Sequence, residues 1–171
     1  MDPVLLGLRV VHVGAAMLWF GGGIVGAFFL APTADALGKS GQPFMDHLMN
    51  RRRMGVFFPI VAALTILAGI GLYWRDSNGL DPTWITSPPG LAFTLGGLAA
   101  ILSFVLGAIL VGPAVAGQTA VRNELAAGDG IPNDEQARRL ADADRRMRLA
   151  RRFDVPLLLF AAVTMAVGRY L

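Results

Sequence analysis

This chain has a histidine and a methionine that can bind a transition metal, and each lies close to one end of an apolar segment. If the segments cross a membrane in alternating directions, these two ends lie at the same edge of the membrane. His12 falls in the first of four long apolar stretches and Met165 in the last. Ionisable side chains inside a lipid-spanning helix are costly and mark functional sites by default. At a rise of about 1.5 Å per residue, His12 lies roughly 12 Å and Met165 roughly 9 Å inside that edge. Imidazole and thioether groups are both axial ligands of haem iron, so this pair predicts a haem site.

Glycines and arginines lie near the two possible ligands. Gly14, the segment Thr65–Gly71 and the pair Gly96-Gly97 fall at the same level, where a flat macrocycle needs cleared helix surfaces. Arg9 and Arg169 lie nearer the edge, where guanidinium groups can pair with haem propionates.

We therefore predict that the chain binds haem b through His12, for a redox or haem-related role. Met165 is the candidate for the second axial ligand, and Arg9 and Arg169 are predicted to hold the propionates. Met17 is a weaker candidate for the second ligand because it lies deeper.

The same residues also fit a purely structural role. His12 could hydrogen-bond a neighbouring helix, while Met165 fills a gap in the packing. Gly22 and Gly26 have the small-xxx-small spacing that allows close helix approach in lipid. On this interpretation the chain is a non-catalytic accessory subunit of a larger membrane complex, or packs as a homo-oligomer.

A third hypothesis is copper transport or resistance. Met45, His47 and Met49 alternate after the first apolar stretch, and soft thioethers with an imidazole can hold copper(I). Alternate residues do not share one face of a helix, however. An amphipathic helix that uses methionine for lipid contact explains this pattern equally well.

The apolar stretches predict an all-α, polytopic membrane protein. The chain has 171 residues, 54% of them hydrophobic, and its mean hydropathy is +0.55. A helix needs about 20 apolar residues to cross a bilayer. The predicted spans are residues 4–30, 54–74, 91–115 and 155–171. Short connections between them predict a single domain, 1–171, in which four transmembrane helices form an up-down bundle. Amphipathic helical extensions are expected on its cytoplasmic side.

Arginine is distributed unevenly between the connections and predicts the topology. The first connection contains Arg51, Arg52 and Arg53. The arginines before the last stretch are Arg122, Arg138, Arg139, Arg145, Arg146, Arg148, Arg151 and Arg152. Because such connections stay cytoplasmic, we expect a multi-pass protein of a bacterial-type inner (plasma) membrane with both termini outside.

Composition also excludes several function classes. The sequence has no cysteine, which rules out disulfides, thiolate metal sites and iron–sulfur clusters within this chain. Acidic residues are interspersed among the arginines, so nucleic acid is not an expected partner. The lipid bilayer is the expected partner. We find no nucleophile elbow, P-loop or multi-histidine metal motif, so the sequence leaves open whether the chain is an enzyme.

Three stretches resemble the HemJ-like and copper-resistance-D-like families of four-helix integral membrane proteins. Leu8–Val13 contains His12 and is followed by Leu-Trp-Phe-Gly-Gly at Leu18–Gly22. The other two are Met49–Pro59, where arginines precede Phe-Phe-Pro, and Phe153–Leu159. The resemblance implies a four-helix fold and a haem at the position of His12, as in the haem-binding protoporphyrinogen oxidases of the HemJ type. The resemblance to the copper-resistance-D-like family implies a role in copper uptake. The chain has Pro-Pro-Gly-Leu where HemJ-like proteins carry a lysine, which indicates a diverged member.

Overall fold

The chain folds almost wholly into helices. The computed structural model describes residues 2–128 and 130–171, so Met1 and Asp129 of the predicted single domain lie outside the described residues. The helices of the described part, which contains no strand, are α1 (Pro3–Ala36), α2 (Gly41–Asp46), α3 (Met54–Asp76), α4 (Pro82–Ile85), α5 (Pro88–Ala127) and α6 (Asp134–Gly168). A 3₁₀ turn, Gly38–Ser40, precedes α2, and a π-turn, His47–Arg51, follows it. The all-α prediction is confirmed for these residues.

Local sequence signals begin the long helices. The Asp2 side chain accepts a hydrogen bond from the amide of Val4 at 2.9 Å, and Pro3 follows as the first helical residue. α6 begins with a capping box, in which Asn133 and Gln136 each accept from the other's backbone amide. These side chains satisfy amides that have no partner within the first turn of a helix.

Three helices are long and apolar enough to cross a membrane, namely α1, α3 and α5. Large apolar side chains cover their outer surfaces: Val10 is 65% exposed, Met17 69% and Leu67 66%. Surfaces of this kind belong in lipid rather than in water. The chain is therefore a membrane protein, and three of the predicted spans coincide with helices of sufficient length.

The fourth predicted span, residues 155–171, coincides only in part with α6. The helix ends at Gly168 rather than Leu171, because its last turn tightens into a bond from the Tyr170 amide to the Val167 carbonyl at 2.8 Å. The apolar part of α6 therefore runs from residue 155 to Gly168, which is shorter than the roughly 20 residues of a perpendicular span.

α1 and α3 pack as an antiparallel pair. Asp2 at the start of α1 forms a salt bridge with Arg75 at the end of α3. Towards the other end of the pair, Gly22 lies against the ring of Phe58, where an added Cβ would overlap the ring. Gly26, the second residue of the predicted small-xxx-small pair, has nothing within 4 Å of a Cβ built on it. It instead begins a π-turn, Gly26–Leu30, within α1.

α5 and α6 form a second antiparallel pair that extends well beyond their apolar parts. Ser103 of α5 bonds Asp154 of α6, and Gln118 donates to Asp144 at 2.9 Å. Near the connection, Glu124 accepts hydrogen bonds from Gln136 at 3.0 Å and Arg139 at 2.9 Å. The hydrogen bond from Gln136 and, to a smaller extent, the one from Arg139 lower the pKa of the Glu124 carboxyl group. The expected helical extensions of these two segments are thus present and pack on each other.

Small residues dominate the centre of the helix assembly. The residues of its buried cluster are Ala15, Trp19, Val61, Ala62, Ala99, Ala100, Leu158 and Ala161. Alanine lets helix backbones approach closely, and dispersion contacts then hold membrane helices together. Trp19 is 8% exposed and is the largest side chain of the cluster. Because these residues come from α1, α3, α5 and α6, all four long helices share one core.

Candidate functional site: His12 between α1 and α3

His12 faces α3 and makes a hydrogen bond to its backbone. The ring Nδ1 lies 2.7 Å from the carbonyl oxygen of Thr65. A carbonyl oxygen only accepts, so Nδ1 carries the proton and donates. In the neutral ring the lone pair is then on Nε2. Histidines that ligate metals show this arrangement, in which one nitrogen donates to a carbonyl and the other is left for the metal.

Gly69 of α3 provides the space that the imidazole occupies. A Cβ at this position would lie 2.9 Å from Cε1 and 3.0 Å from Nδ1 of His12. Thr65 is buried, and its own hydroxyl donates to the Val61 carbonyl at 2.8 Å. The hydrogen bond between Thr65 and the imidazole is therefore made by the backbone carbonyl. The space beside Gly69 therefore forms a notch in α3, and this notch orients His12.

The remaining predicted site residues lie in different surroundings. Met165 packs on α5, where its Cγ would be 3.1 Å from a Cβ added at Gly96. Arg9 is exposed. Arg169 is also exposed, and its guanidinium lies 5.8 Å from the ring centroid of Tyr170. The structure thus places His12 in the α1–α3 pair and Met165 in the α5–α6 pair.

The glycines predicted to clear a surface for a macrocycle divide into two groups. Gly14 and Gly97 have open space where a side chain would begin, with nothing within 4 Å of an added Cβ. Gly96 is closed, because its Cβ would lie 2.6 Å from Thr164 Oγ1. His12 hydrogen-bonds a neighbouring helix and Gly96 packs closely on α6, and the structural interpretation also expects both contacts.

Asp154 is a functional candidate that the sequence prediction missed. It accepts a hydrogen bond from the hydroxyl of Ser103, which is 1% exposed. The pair lies where the apolar part of α6 begins, so a carboxyl group is directed into the α5–α6 contact. The sequence signal for a buried carboxyl group is weak, because Asp154 lies two residues after Arg151-Arg152 and resembles the polar end of a helix. Only the register between α5 and α6 shows that it faces Ser103.

The residues of the copper hypothesis lie at the junction of α2 with its π-turn. His47 is exposed, whereas Met45 and Met49 are partly buried. Within residues 2–128 and 130–171, no group of three or more His, Cys, Asp or Glu residues is placed to hold a metal ion. That criterion does not count thioethers, so copper(I) binding at these three residues stays a prediction.

Comparison of the chain with protein-family models, curated proteins and solved structures gave no match.

Proposed function

We propose that the chain is a four-span protein of a bacterial-type inner membrane, with both termini outside and the arginine-rich connections in the cytoplasm. Two observations support the fourth span. The apolar part of α6 lies along α5, with Gly168 against Ala92 and Phe93. Arg151 and Arg152 then stand at the cytoplasmic edge, where long side chains reach the headgroups from a short span. Alternation of α1, α3, α5 and α6 gives an up-down bundle.

Single-cysteine labelling tests this topology, since the natural chain has no cysteine. In intact spheroplasts, Thr83→Cys between α3 and α5 and Tyr170→Cys after α6 are expected to react with a membrane-impermeant maleimide. Pro132→Cys, between α5 and α6, is expected to react only after permeabilisation. If Tyr170→Cys, like Pro132→Cys, reacts only after permeabilisation, α6 does not cross the membrane.

Within this scaffold we propose that the protein binds haem b through Nε2 of His12 and serves redox or haem-related chemistry. The observation that carries the proposal is the bond from Nδ1 of His12 to the Thr65 carbonyl. It fixes the tautomer and the ring plane in the way that metal-binding histidines require. Haem would supply one-electron exchange at its iron. The chain's own contribution is to orient His12, exclude water with the α1–α3 contact and leave space beside Gly14 and Gly97.

The other proposed haem contacts have less support than His12. Met165 as second axial ligand stays a prediction, because its described contacts are with α5. Arg9 and Arg169 are exposed near the outer ends of α1 and α6. This position suits pairing with propionates at the membrane surface. The resemblance to HemJ-like proteins points to the same histidine.

Substitution of Gly69 tests whether the notch orients a ligand. Gly69→Ala is expected to displace the imidazole from Thr65 and to weaken haem binding by about 10–100-fold, the usual effect of losing a partner that orients a ligand. Gly71→Ala is the matched control in the same helix. Its Cβ would lie 3.2 Å from Cδ1 of Leu8, the end of a flexible side chain. Haem affinity is measured by titration of the apoprotein in detergent. Equal affinity in both variants would contradict the proposed role of the notch.

A second candidate function is that of an accessory subunit in a larger membrane complex. The observation that favours it is a row of glycines on α1. Gly7, Gly14 and Gly21 each have open space where a side chain would begin, and Val10 and Met17 between them are largely exposed. Another transmembrane helix could approach closely along this row. Gentle extraction and native sizing separate the candidates: stable co-migration with other chains and no chromophore would favour the accessory role.

A further inference from the structure

A groove between α1 and α6 combines an apolar floor with a basic rim. Its volume is about 500 Å³. The residues of the floor are Ala27, Phe28, Pro32, Val155 and Pro156. The residues of the rim are Asp35, Arg148, Arg151 and Arg152. The floor comes from the π-turn region of α1 and from the start of the apolar part of α6.

The rim has positive charge that the chain itself does not neutralise. The nearest approach of Arg151 to Asp35 is 3.8 Å, from Nη1 to Oδ2, which is longer than a hydrogen bond. Within the described part of the chain, Arg148 and Arg152 have no carboxylate within 4.0 Å. Three guanidinium groups thus face one carboxylate that none of them binds closely.

A second groove of similar volume, about 520 Å³, lies nearby between α5 and α6 and provides an internal comparison. It also contains three arginines, but each has a carboxylate partner. Arg139 bonds Glu124 at 2.9 Å, Arg146 bonds Asp142 at 2.8 Å, and Arg138 lies 3.5 Å from Glu135. Arginine number and volume are therefore matched between the grooves, but in the described part of the chain Arg148 and Arg152 of the α1–α6 groove have no carboxylate within 4.0 Å, whereas every arginine of the second groove has one.

The α1–α6 groove also lies where the surface changes from apolar to polar. Phe28 is 61% exposed and lies among apolar residues of α1, whereas Asp35 is about two helical turns further along. On α6 the arginines end at Arg152 and the apolar part begins at Val155. The phosphates of a bilayer lie at this boundary, and basic clefts between helices on the cytoplasmic side bind anionic headgroups there.

We propose that this groove binds an anionic phospholipid. Arg148, Arg151 and Arg152 bind the phosphate, which guanidinium groups recognise by paired hydrogen bonds. An acyl chain follows Phe28 and Val155 along the floor. The apolar floor favours a lipid over a free phosphate, because an inorganic ion would leave it exposed to water. The site is independent of His12 and of haem, and rests only on the membrane location of the chain.

Native mass spectrometry of the whole detergent-purified protein tests the proposal. The ligands are phosphatidylglycerol, phosphatidylcholine and inorganic phosphate, with the lipids matched in acyl chains. Phosphatidylglycerol is expected to bind most tightly. The triple variant Arg148→Gln/Arg151→Gln/Arg152→Gln is expected to weaken its binding at least about tenfold, from the loss of three basic contacts. The control Arg138→Gln/Arg139→Gln/Arg146→Gln changes the net charge equally and is expected to leave it within about twofold.

Three results would overturn the proposal. Phosphatidylcholine is expected to bind weakly because it has no net charge, so equal binding of the two lipids would show that charge does not select the ligand. An equal loss of phosphatidylglycerol binding in both triple variants would show that the lipid does not bind specifically in this groove. Inorganic phosphate that competes at concentrations comparable to the lipid would assign the arginines to a soluble anion. If the triple variant fails to fold, a photoactivatable phosphatidylglycerol on the natural protein decides: crosslinks at residues 27–35 or 148–156 are expected, and crosslinks confined elsewhere contradict the assignment.

Discussion

Replacement of His12 by alanine is expected to abolish haem retention while the protein still inserts and folds. The change removes the imidazole that supplies the proposed iron ligand, and no other histidine lies in the apolar parts of the chain. It also removes one hydrogen bond to Thr65, which stabilises the fold by only about 1 kcal/mol. The haem content of purified protein, measured against its peptide concentration, is expected to fall from near one per chain to none detectable.

His47→Ala is the matched control for this prediction. It makes the same chemical change in the only other histidine, which is exposed beyond α2. Its haem content is expected to equal that of the natural protein. Haem at natural stoichiometry in His12→Ala would refute the ligand assignment. Loss of haem in both variants would show that the effect of His12→Ala is not specific to the proposed ligand.

Replacement of Gly96 by alanine is expected to destabilise the contact between α5 and α6. The added Cβ would lie 2.6 Å from Thr164 Oγ1 and 3.3 Å from the carbonyl oxygen of Ala161. The second contact is with helix backbone, which rotation of a side chain cannot relieve, so α6 must shift away from α5 by a few tenths of an ångström. Overpacking of this kind typically costs about 1–3 kcal/mol. The thermal midpoint of the protein in detergent is expected to fall accordingly.

Gly97→Ala provides a control at the next residue of the same helix. A Cβ there meets nothing within 4 Å, and alanine is favoured over glycine inside a helix by up to about 1 kcal/mol. Its thermal midpoint is expected to be unchanged or higher. Equal midpoints for Gly96→Ala and Gly97→Ala would show that α5 and α6 do not pack through Gly96.

The sequence was sufficient to locate the helices because apolar runs and polar connections alternate clearly along it. Residues 4–30, 54–74 and 91–115 all fall inside α1, α3 and α5. The end of α6 was misplaced by a few residues, since helix ends depend on local hydrogen bonds that composition does not specify. The π-turns Gly26–Leu30 of α1 and Gly107–Val111 of α5 were also missed, because an extra residue in a helical turn leaves the apolar pattern almost unchanged.

The sequence identified His12 and the level of α3 that faces it, residues 65–71, but not the atoms that His12 contacts. A histidine in an apolar run is conspicuous, whereas its partner is a backbone carbonyl that any residue at position 65 could supply. Depth estimates placed Met165 at the level of His12, yet depth says nothing about direction around a helix axis. Met165 packs on Gly96 of α5 instead. Asp154 was missed for a related reason, as its contact with Ser103 depends on the register of two helices.

The reduced-minus-oxidised absorption difference spectrum tests the haem proposal most directly. The whole protein is purified in mild detergent from cells supplied with a haem precursor, and its spectrum is recorded before and after dithionite. We predict a sharp Soret band and a reduced α-band at near one haem per chain. A featureless spectrum from a folded, monodisperse preparation would contradict the proposal and favour the accessory-subunit role.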